Sequence, residues 1–224
     1  MIELVGDFMS KDYKTLLQYA EAEEIINKSK FIGYAKPVDS EDEAIEFIEQ
    51  IKKKHWNATH NVPVYIIGEN NEIQRYSDDG EPSGTAGVPI LEMLKKEEIK
   101  NLVIVVTRYF GGIKLGTGGL VRAYTSAAKL AINEAKVVEK VRNIEYLIRM
   151  DYTLHGKIQN ELINSEYIIK DTIYDDKVNI FVYCKTEESN KFVSMITDIS
   201  NGKAIIEEKE EVYLTIHDGK VIEE

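Results

Sequence analysis

Apolar and polar positions alternate along this chain with two different periods. Residues 17–38 alternate every second position, which predicts two strands joined near Asn27–Lys30. At Ser40 the period becomes helical, because Ser40 and Glu43 form a capping box before an apolar series that runs to Lys52–Lys54. The residues predicted to face the core from this helix are Ala44, Ile45, Phe47, Ile48 and Ile51.

The next segments continue the alternation of strands and helices. Residues 102–106 form an almost uninterrupted β-branched run, which is typical of a strand buried on both faces. A glycine-rich loop follows this strand and leads into a long helix. The predicted elements are strands at Val62–Ile67 and Glu72–Tyr76, a helix near 86–97, the strand at 102–106 and a helix from Thr117 to about Lys136.

The last third of the chain repeats the pattern on a smaller scale. Its predicted elements are a strand at 144–150, a helix at 152–164, strands at 167–174 and 178–183, a helix at 187–199 and an extended segment at 205–216. The order βαββαβ is that of a ferredoxin-like domain. We therefore expect an α+β chain with an α/β domain at 1–138 and a ferredoxin-like domain at 139–224.

Composition narrows the class of protein. The 224 residues are 43% hydrophobic and 30% charged, which is ordinary globular usage. No run approaches the ~18 apolar residues of a membrane helix, and Met1–Asp7 has no basic region before an apolar stretch, so we expect a cytoplasmic protein that does not bind membranes. The single Cys184 excludes an internal disulfide, and the four scattered histidines lack the paired spacing of a structural metal site.

The charge of the chain is unevenly distributed. The formal net charge is -11, but residues 101–149 carry 8 basic and 3 acidic side chains, a net of +5. Residues 1–100 carry 12 basic against 20 acidic side chains, and residues 150–224 carry 8 against 16. An anionic ligand is therefore expected to meet the middle segment, although such charges also commonly solvate a helix face.

The middle segment contains the strongest candidate site. Five of the 14 glycines fall between Gly111 and Gly119, between a predicted strand and a helix start. Glycine allows a ligand to approach backbone N–H groups, and a helix N-terminus adds unpaired donors, so the loop is typical of a phosphate site. A tight turn that needs glycine only for packing is the alternative. The candidate ligands are Arg108, Gly111, Gly112, Lys114, Gly116, Thr117, Gly118, Gly119 and Arg122.

A second candidate is the acidic loop Ser77–Gly87. Asp78, Asp79 and Glu81 have the oxygen ligands that Mg²⁺ prefers, or the groups for acid–base catalysis, with His60 as a further candidate catalytic residue. We favour the alternative that the carboxylates form turns and that Ser83 or Thr85 caps the following helix. No cofactor is predicted other than Mg²⁺ under the first interpretation.

Four segments, in this order, resemble the IMPACT/YigZ family: Lys28–Ile32, Ala58–Asn61, Ser77–Gly87 and Val106–Tyr124. The resemblance implies an N-terminal domain similar to the second domain of ribosomal protein S5. It also implies a C-terminal ferredoxin-like domain similar to the last domain of the translocation elongation factor. Both relatives act on RNA, and a nucleic-acid or translation-linked role has been suggested for the bacterial members.

Two departures limit what the resemblance implies. Eukaryotic members restrain a stress-activated translation kinase through an additional N-terminal domain, and fewer than 30 residues precede Lys28 here, so we do not expect that activity. Val62-Pro63 stands where many members have a cysteine and a small or aromatic residue, which argues against thiol chemistry there.

Our leading hypothesis from the sequence is therefore a non-enzymatic, translation-associated protein that binds RNA or the ribosome through the glycine-rich loop. One alternative is a small-molecule enzyme that acts on a phosphorylated metabolite with Mg²⁺ at the acidic loop. Another is an adaptor that binds a protein, for example a translation factor, through the acidic second domain.

Overall fold

The computed structural model describes residues 11–165 and 167–222. The prediction about Met1–Asp7 lies outside the described residues. The chain forms two compact units, one of Lys11–Lys140 with Ile216–Lys220 and one built on Val141–Thr215, which we call the N-terminal and C-terminal units. Within the described ranges, no helix is both long enough and apolar enough to cross a bilayer.

The N-terminal unit is built on an antiparallel sheet. Its strands are β1 (Tyr13–Leu16), β2 (Ala20–Ile26), β3 (Ser29–Pro37), β4 (His60–Ile67), β5 (Ile73–Tyr76) and β6 (Leu102–Tyr109). The strand order in the sheet is β2-β3-β6-β4-β5. The short β1 lies outside this sheet and pairs with residues 137–140.

Helices cover both faces of this sheet. They are α1 (Glu41–Lys54), α2 (Gly87–Glu97) and α3 (Gly116–Ala135). On β6, Val103 and Val105 pack in the core on the α1 side, whereas Leu102, Ile104 and Val106 pack in the core on the α2 and α3 side. The central strand is therefore buried on both faces, as its β-branched run predicts.

The structure of α1 confirms its predicted cap and most, but not all, of its predicted core residues. The Ser40 side chain accepts a hydrogen bond from the Glu43 N–H at 3.3 Å, so the predicted cap is confirmed. Ala44, Phe47, Ile48 and Ile51 are buried, but Ile45 is 47% exposed. The prediction for Ile45 was wrong because it lies about 100° around the helix from Ala44, beyond the buried face.

The C-terminal unit has the predicted element order. The elements of this part of the chain are β7 (Val137–Met150), α4 (Tyr152–Asn164), β8 (Ile168–Tyr174), β9 (Val178–Lys185), a 3₁₀ turn (Thr186–Glu188), α5 (Ser189–Ser200), β10 (Ile205–His217) and β11 (Lys220–Ile222). The ends of β7, β10 and β11 that fall in Val137–Lys140 and Ile216–Lys220 belong to the N-terminal unit. The strands lie in the order β10-β7-β9-β8, and β11 pairs with β10. Helices α4 and α5 contribute Ile158 and Phe192 to a core with Tyr146 and Ile180.

Candidate functional site

The strand pairing brings four sequence segments to one end of the N-terminal sheet. β3 begins at Ser29 and β4 begins at His60, and both run antiparallel to β6, which ends at Tyr109. The loop of residues 77–86 follows the end of β5 and precedes α2. The loop of residues 110–115 follows the end of β6 and precedes α3, and both loops begin on this same side of the sheet. We call this side, with the 55–59 turn that precedes β4, the loop end of the sheet.

A buried ion pair lies at the centre of the loop end. Arg108 is only 5% exposed, and its Nη1 donates to Glu81 Oε1 at 2.6 Å. The Tyr124 hydroxyl donates to the same oxygen at 2.7 Å, and His60 Nε2 lies 3.7 Å from it. A carboxylate removed from water requires such partners, so Glu81 anchors the acidic loop to the core.

Further contacts hold the Arg108 guanidinium. Its Nη2 donates to Ser29 Oγ at 3.4 Å, and its carbon lies 5.3 Å from the Phe31 ring centroid and 5.5 Å from that of Phe110. Its charge is therefore engaged inside the protein. The sequence placed Arg108 among the phosphate ligands, but its burial removes it from the surface of the loop.

Tyr124 acts as a hydrogen-bond donor in this cluster. Burial, followed by its hydrogen bond to Glu81, raises the pKa of Tyr124 far above its usual range. The phenol therefore stays protonated and continues to donate to the Glu81 carboxylate at physiological pH.

Asp78 caps the helix that follows the acidic loop. Its Oδ1 accepts hydrogen bonds from the N–H groups of Ala86 at 3.1 Å and Gly87 at 2.8 Å, and its Oδ2 accepts one from Gly84 at 2.8 Å. The sequence proposed Ser83 or Thr85 as the cap; instead, the Thr85 hydroxyl donates to the Pro82 carbonyl. Asp78 can replace them because the loop folds back toward the start of α2.

Asp79 and His60 hold the same loop against β4. The Asp79 carboxylate accepts a hydrogen bond from the Asn61 N–H at 2.6 Å, and its carbonyl oxygen lies 2.7 Å from His60 Nδ1. In the part of the chain that the structure describes, no group of three or more His, Cys, Asp or Glu side chains is placed to hold a metal ion. The observed contacts of the acidic loop support its interpretation as a turn and cap.

Backbone geometry accounts for part of the glycine-rich loop. A Cβ on Gly111 would overlap the Lys28 carbonyl, and Gly112 and Gly116 have φ of +85° and +69°, where side chains are strained. Gly118 has neither constraint, since a Cβ there would meet nothing within 4 Å. Gly118 and Gly119 lie in the first turn of α3, which carries no acidic residue.

Lys114, in this loop, and Arg122, in the second turn of α3, are cations at this site. Both side chains are exposed, and within the described ranges neither forms an ion pair. By contrast, Lys129 pairs with Glu97 at 2.6 Å and Arg142 pairs with Glu211 at 3.0 Å. The positive middle segment is therefore partly neutralised by carboxylates that lie outside it in sequence.

His55, in the 55–59 turn of the loop end, had no role in the sequence predictions. Its Nε2 lies 2.5 Å from the Tyr34 hydroxyl, and its Nδ1 lies 2.9 Å from the Tyr109 hydroxyl, which in turn donates to Asn57. Burial, with a smaller contribution from Lys54, lowers the pKa of His55.

The sequence predictions also gave no role to Ser29 and Asn61. Ser29 Oγ accepts from the Gly111 N–H at 3.1 Å, and the Asn61 side-chain oxygen accepts from the Thr107 hydroxyl at 2.8 Å. Together with Tyr124, both lie inside the four segments that carry the family resemblance. The four segments thus form one hydrogen-bonded cluster. The presence of Ser29 and Asn61 in segments that carry the family resemblance was the signal in the sequence that could have identified them as site residues.

Comparisons with known proteins agree with this arrangement. A family model described as the Impact N-terminal domain matches residues 27–132, and one described as a domain of unknown function (DUF1949) matches residues 148–203. The chain is 29% identical in sequence, at a TM-score of 0.56, to a crystal structure of a hypothetical protein, covering 89% of this chain and 98% of that one.

Curated relatives match over most of their length. The chain is 48% identical to the IMPACT family member YvyE of Bacillus subtilis, over 92% of this chain and 95% of the relative. It is 32% identical to an IMPACT family member of Haemophilus influenzae, over 83% of this chain and 91% of the relative. With 36% identity to the IMPACT family member YigZ of Escherichia coli as well, over 64% of this chain and 75% of that protein, the chain belongs to the IMPACT family.

Proposed function

We propose that the protein is a non-enzymatic, translation-associated protein that binds phosphates of RNA, free or in the ribosome, at the start of α3. The observation that carries the proposal is the arrangement of residues 112–122. A 20-residue helix begins there with glycines and no carboxylate in its first turn, and Lys114 and Arg122 are exposed beside it. Unpaired N–H groups and the positive end of the helix dipole favour phosphate at such a place.

Two fold assignments support a role in translation. The order β10-β7-β9-β8, with α4 and α5 contributing to one core, is consistent with the ferredoxin-like domain implied by the sequence. We assign the N-terminal unit, with its mixed helical cover, to the S5-like class on the family resemblance. Fold alone does not define activity, so the binding proposal depends on the residues at the loop end.

The contacts of the acidic loop favour binding over catalysis. Asp78 accepts three backbone N–H groups, Asp79 accepts one, and Glu81 is paired with Arg108 and Tyr124. A catalytic or metal-binding carboxylate has lone pairs directed at its ligand, whereas these are directed at the protein. The Mg²⁺-dependent enzyme is therefore our second choice, and Mg²⁺ is not part of the proposed function.

A salt titration of RNA binding tests the proposal. We expect an RNA hairpin to bind at low salt with an affinity that falls steeply as salt rises, because bound phosphates release counterions. Lys114→Ala and Arg122→Ala should each weaken binding roughly fivefold at low salt and reduce the salt slope by about one. Fluorescence anisotropy with a labelled hairpin measures both quantities.

Lys96→Ala is the matched control. Lys96 is an exposed lysine in the last turn of α2, whereas the first turn of that helix lies at the loop end. Its removal should therefore change neither the affinity for RNA nor the salt slope. Absence of binding at low salt, or equal effects of the three variants, would overturn the proposal.

A further inference from the structure

Trp56 is the single tryptophan of the chain, and its side chain is 83% exposed. Tryptophan is highly buried on average, since its ring has the largest apolar area of any side chain. Trp56 lies between the end of α1 and the start of β4, at the loop end of the sheet. An exposed ring in this position suggests a contact surface.

The loop that carries Trp56 is held in place on both sides of the ring. His55 and Asn57, its direct neighbours, both hydrogen-bond to the Tyr109 hydroxyl, at 2.9 and 3.2 Å. Two residues further on, the Thr59 N–H donates to the Arg108 carbonyl at 2.9 Å. The ring is therefore presented from a fixed backbone, so that a ligand would not have to order the loop.

A second exposed aromatic ring is attached to the same loop. The Phe110 N–H donates to Thr59 Oγ1 at 3.0 Å, and the Phe110 side chain is 48% exposed. Its ring lies 5.5 Å from the Arg108 guanidinium carbon, which supports it from inside the protein. Two hydrogen-bonded loops at one end of the sheet thus each present an aromatic ring to solvent.

The charged groups around these rings leave a positive excess. The cations Lys28, Lys53, Lys114 and Arg122 are exposed and, within the described ranges, form no ion pairs. The neighbouring glutamates are paired, Glu21 with Lys54, Glu23 with Lys30 and Glu81 with Arg108. Asp78 and Asp79 accept only backbone N–H groups, so two carboxylates stand against these four cations. The surface that carries the two rings therefore keeps a net positive charge, which favours a polyanion.

We infer that the loop end of the N-terminal sheet binds unpaired nucleotides of RNA, with bases stacked on Trp56 and Phe110 and phosphates on the surrounding cations. Every base has a flat face, so stacking on aromatic rings tolerates any sequence but requires bases that are not already stacked in a duplex. The inference rests on the proposed function, because it specifies which form of RNA the phosphate site receives.

The single tryptophan makes the test direct. Intact protein is titrated with an unstructured 12-nucleotide RNA and, separately, with a 12-base-pair duplex of the same sequence, while tryptophan emission and anisotropy are recorded. We expect the single strand to quench the emission of Trp56 and to bind at least about tenfold more tightly than the duplex. Trp56→Ala should weaken single-strand binding about tenfold, and Trp56→Phe should retain most of the affinity, because phenylalanine also stacks.

Tyr152→Ala is the control, since it removes a half-exposed aromatic side chain from the C-terminal unit and should leave the affinity unchanged. If neither RNA binds at low salt, the proposed function itself fails. If RNA binds with the expected salt dependence, but equally as duplex and single strand and without change in Trp56 emission, the phosphate site stands and the stacking inference is overturned. An unchanged affinity of Trp56→Ala for the single strand would likewise overturn the stacking inference and leave the phosphate site standing.

Discussion

Arg108 shows how far the local context of one residue can be trusted. It follows a buried strand and precedes a glycine-rich loop, where an exposed cation would meet phosphate. The register places it opposite Phe31 and His60, and its side chain donates to Glu81 and Ser29. These partners are distant in sequence, and neither spacing nor composition reveals which carboxylate an arginine will meet.

His55 gives a prediction at the same scale. Its ring is bound between two phenols, with Tyr34 donating to Nε2 and Nδ1 donating to Tyr109, an assignment that follows from the onward bond of Tyr109 to Asn57. The neutral ring fits this series of hydrogen bonds, and burial lowers the pKa of His55. Below a pH of about 6.5 the unfolded chain therefore takes up a proton that the folded protein resists.

The free energy of unfolding should consequently fall as the pH drops from 7.5 to 5.5. Urea denaturation at pH 7.5, 6.5 and 5.5 measures this dependence, and His55→Asn should flatten it in that window. His155→Asn, in the C-terminal unit, should keep the slope of the parent protein. A slope that survives His55→Asn would show that other groups control the pH response.

At the scale of elements, the helices were more predictable than the strands. The spacing of apolar residues gave α4 its observed bounds and α3 to within one residue, because a helix is specified by its own sequence. β1, β11 and the first half of β7 were not predicted, since they are short or rich in polar residues. They depend on distant partners, as in the pairing of Tyr13 with Lys140.

The packing of α3 on β3 gives a prediction at this scale. A Cβ on Gly33 would overlap the Ala127 carbonyl of α3, so Gly33→Ala should lower the free energy of unfolding by about 1–3 kcal/mol. Gly118→Ala, within α3 itself, meets nothing within 4 Å and should raise it by up to about 1 kcal/mol, because alanine favours helix. Thermal or urea unfolding of the pair measures both effects, and equal signs would contradict the observed packing.

At the scale of the whole molecule, each of the two units has its own hydrophobic core, and in the N-terminal unit the sheet divides that core into two layers. Ile104 lies in the core between the first sheet and α3, and Ile180 lies in the core under α4 and α5. The family resemblance placed all four recognisable segments in the first unit, and the candidate site lies there.

Cys184 reports on the second core. It is fully buried, and burial raises the pKa of Cys184 to about 11. At pH 8 the thiolate is therefore about 100-fold scarcer than on an unfolded chain, and we expect a disulfide reagent to react far more slowly with native than with urea-unfolded protein.

Matched substitutions in the two cores test whether local unfolding of the second core, or unfolding of the whole molecule, exposes this thiol. Ile180→Val in the second core should cost about 1 kcal/mol and speed the native reaction about fivefold, whereas Ile104→Val in the first core should leave it nearly unchanged. Equal acceleration by both would mean that the thiol is exposed only when the whole molecule unfolds.

The N-terminal unit includes Ile216–Lys220, a segment that follows Val141–Thr215 in sequence. Within this unit, His217 Nδ1 lies 3.1 Å from the Val137 carbonyl oxygen. During synthesis, the unit begun first cannot therefore be completed until Val141–Thr215 has been translated. Domains usually fold in order as they leave the ribosome. Here the first unit must wait for the second, and one cut between residues 140 and 141 would leave the two units joined by the returning chain.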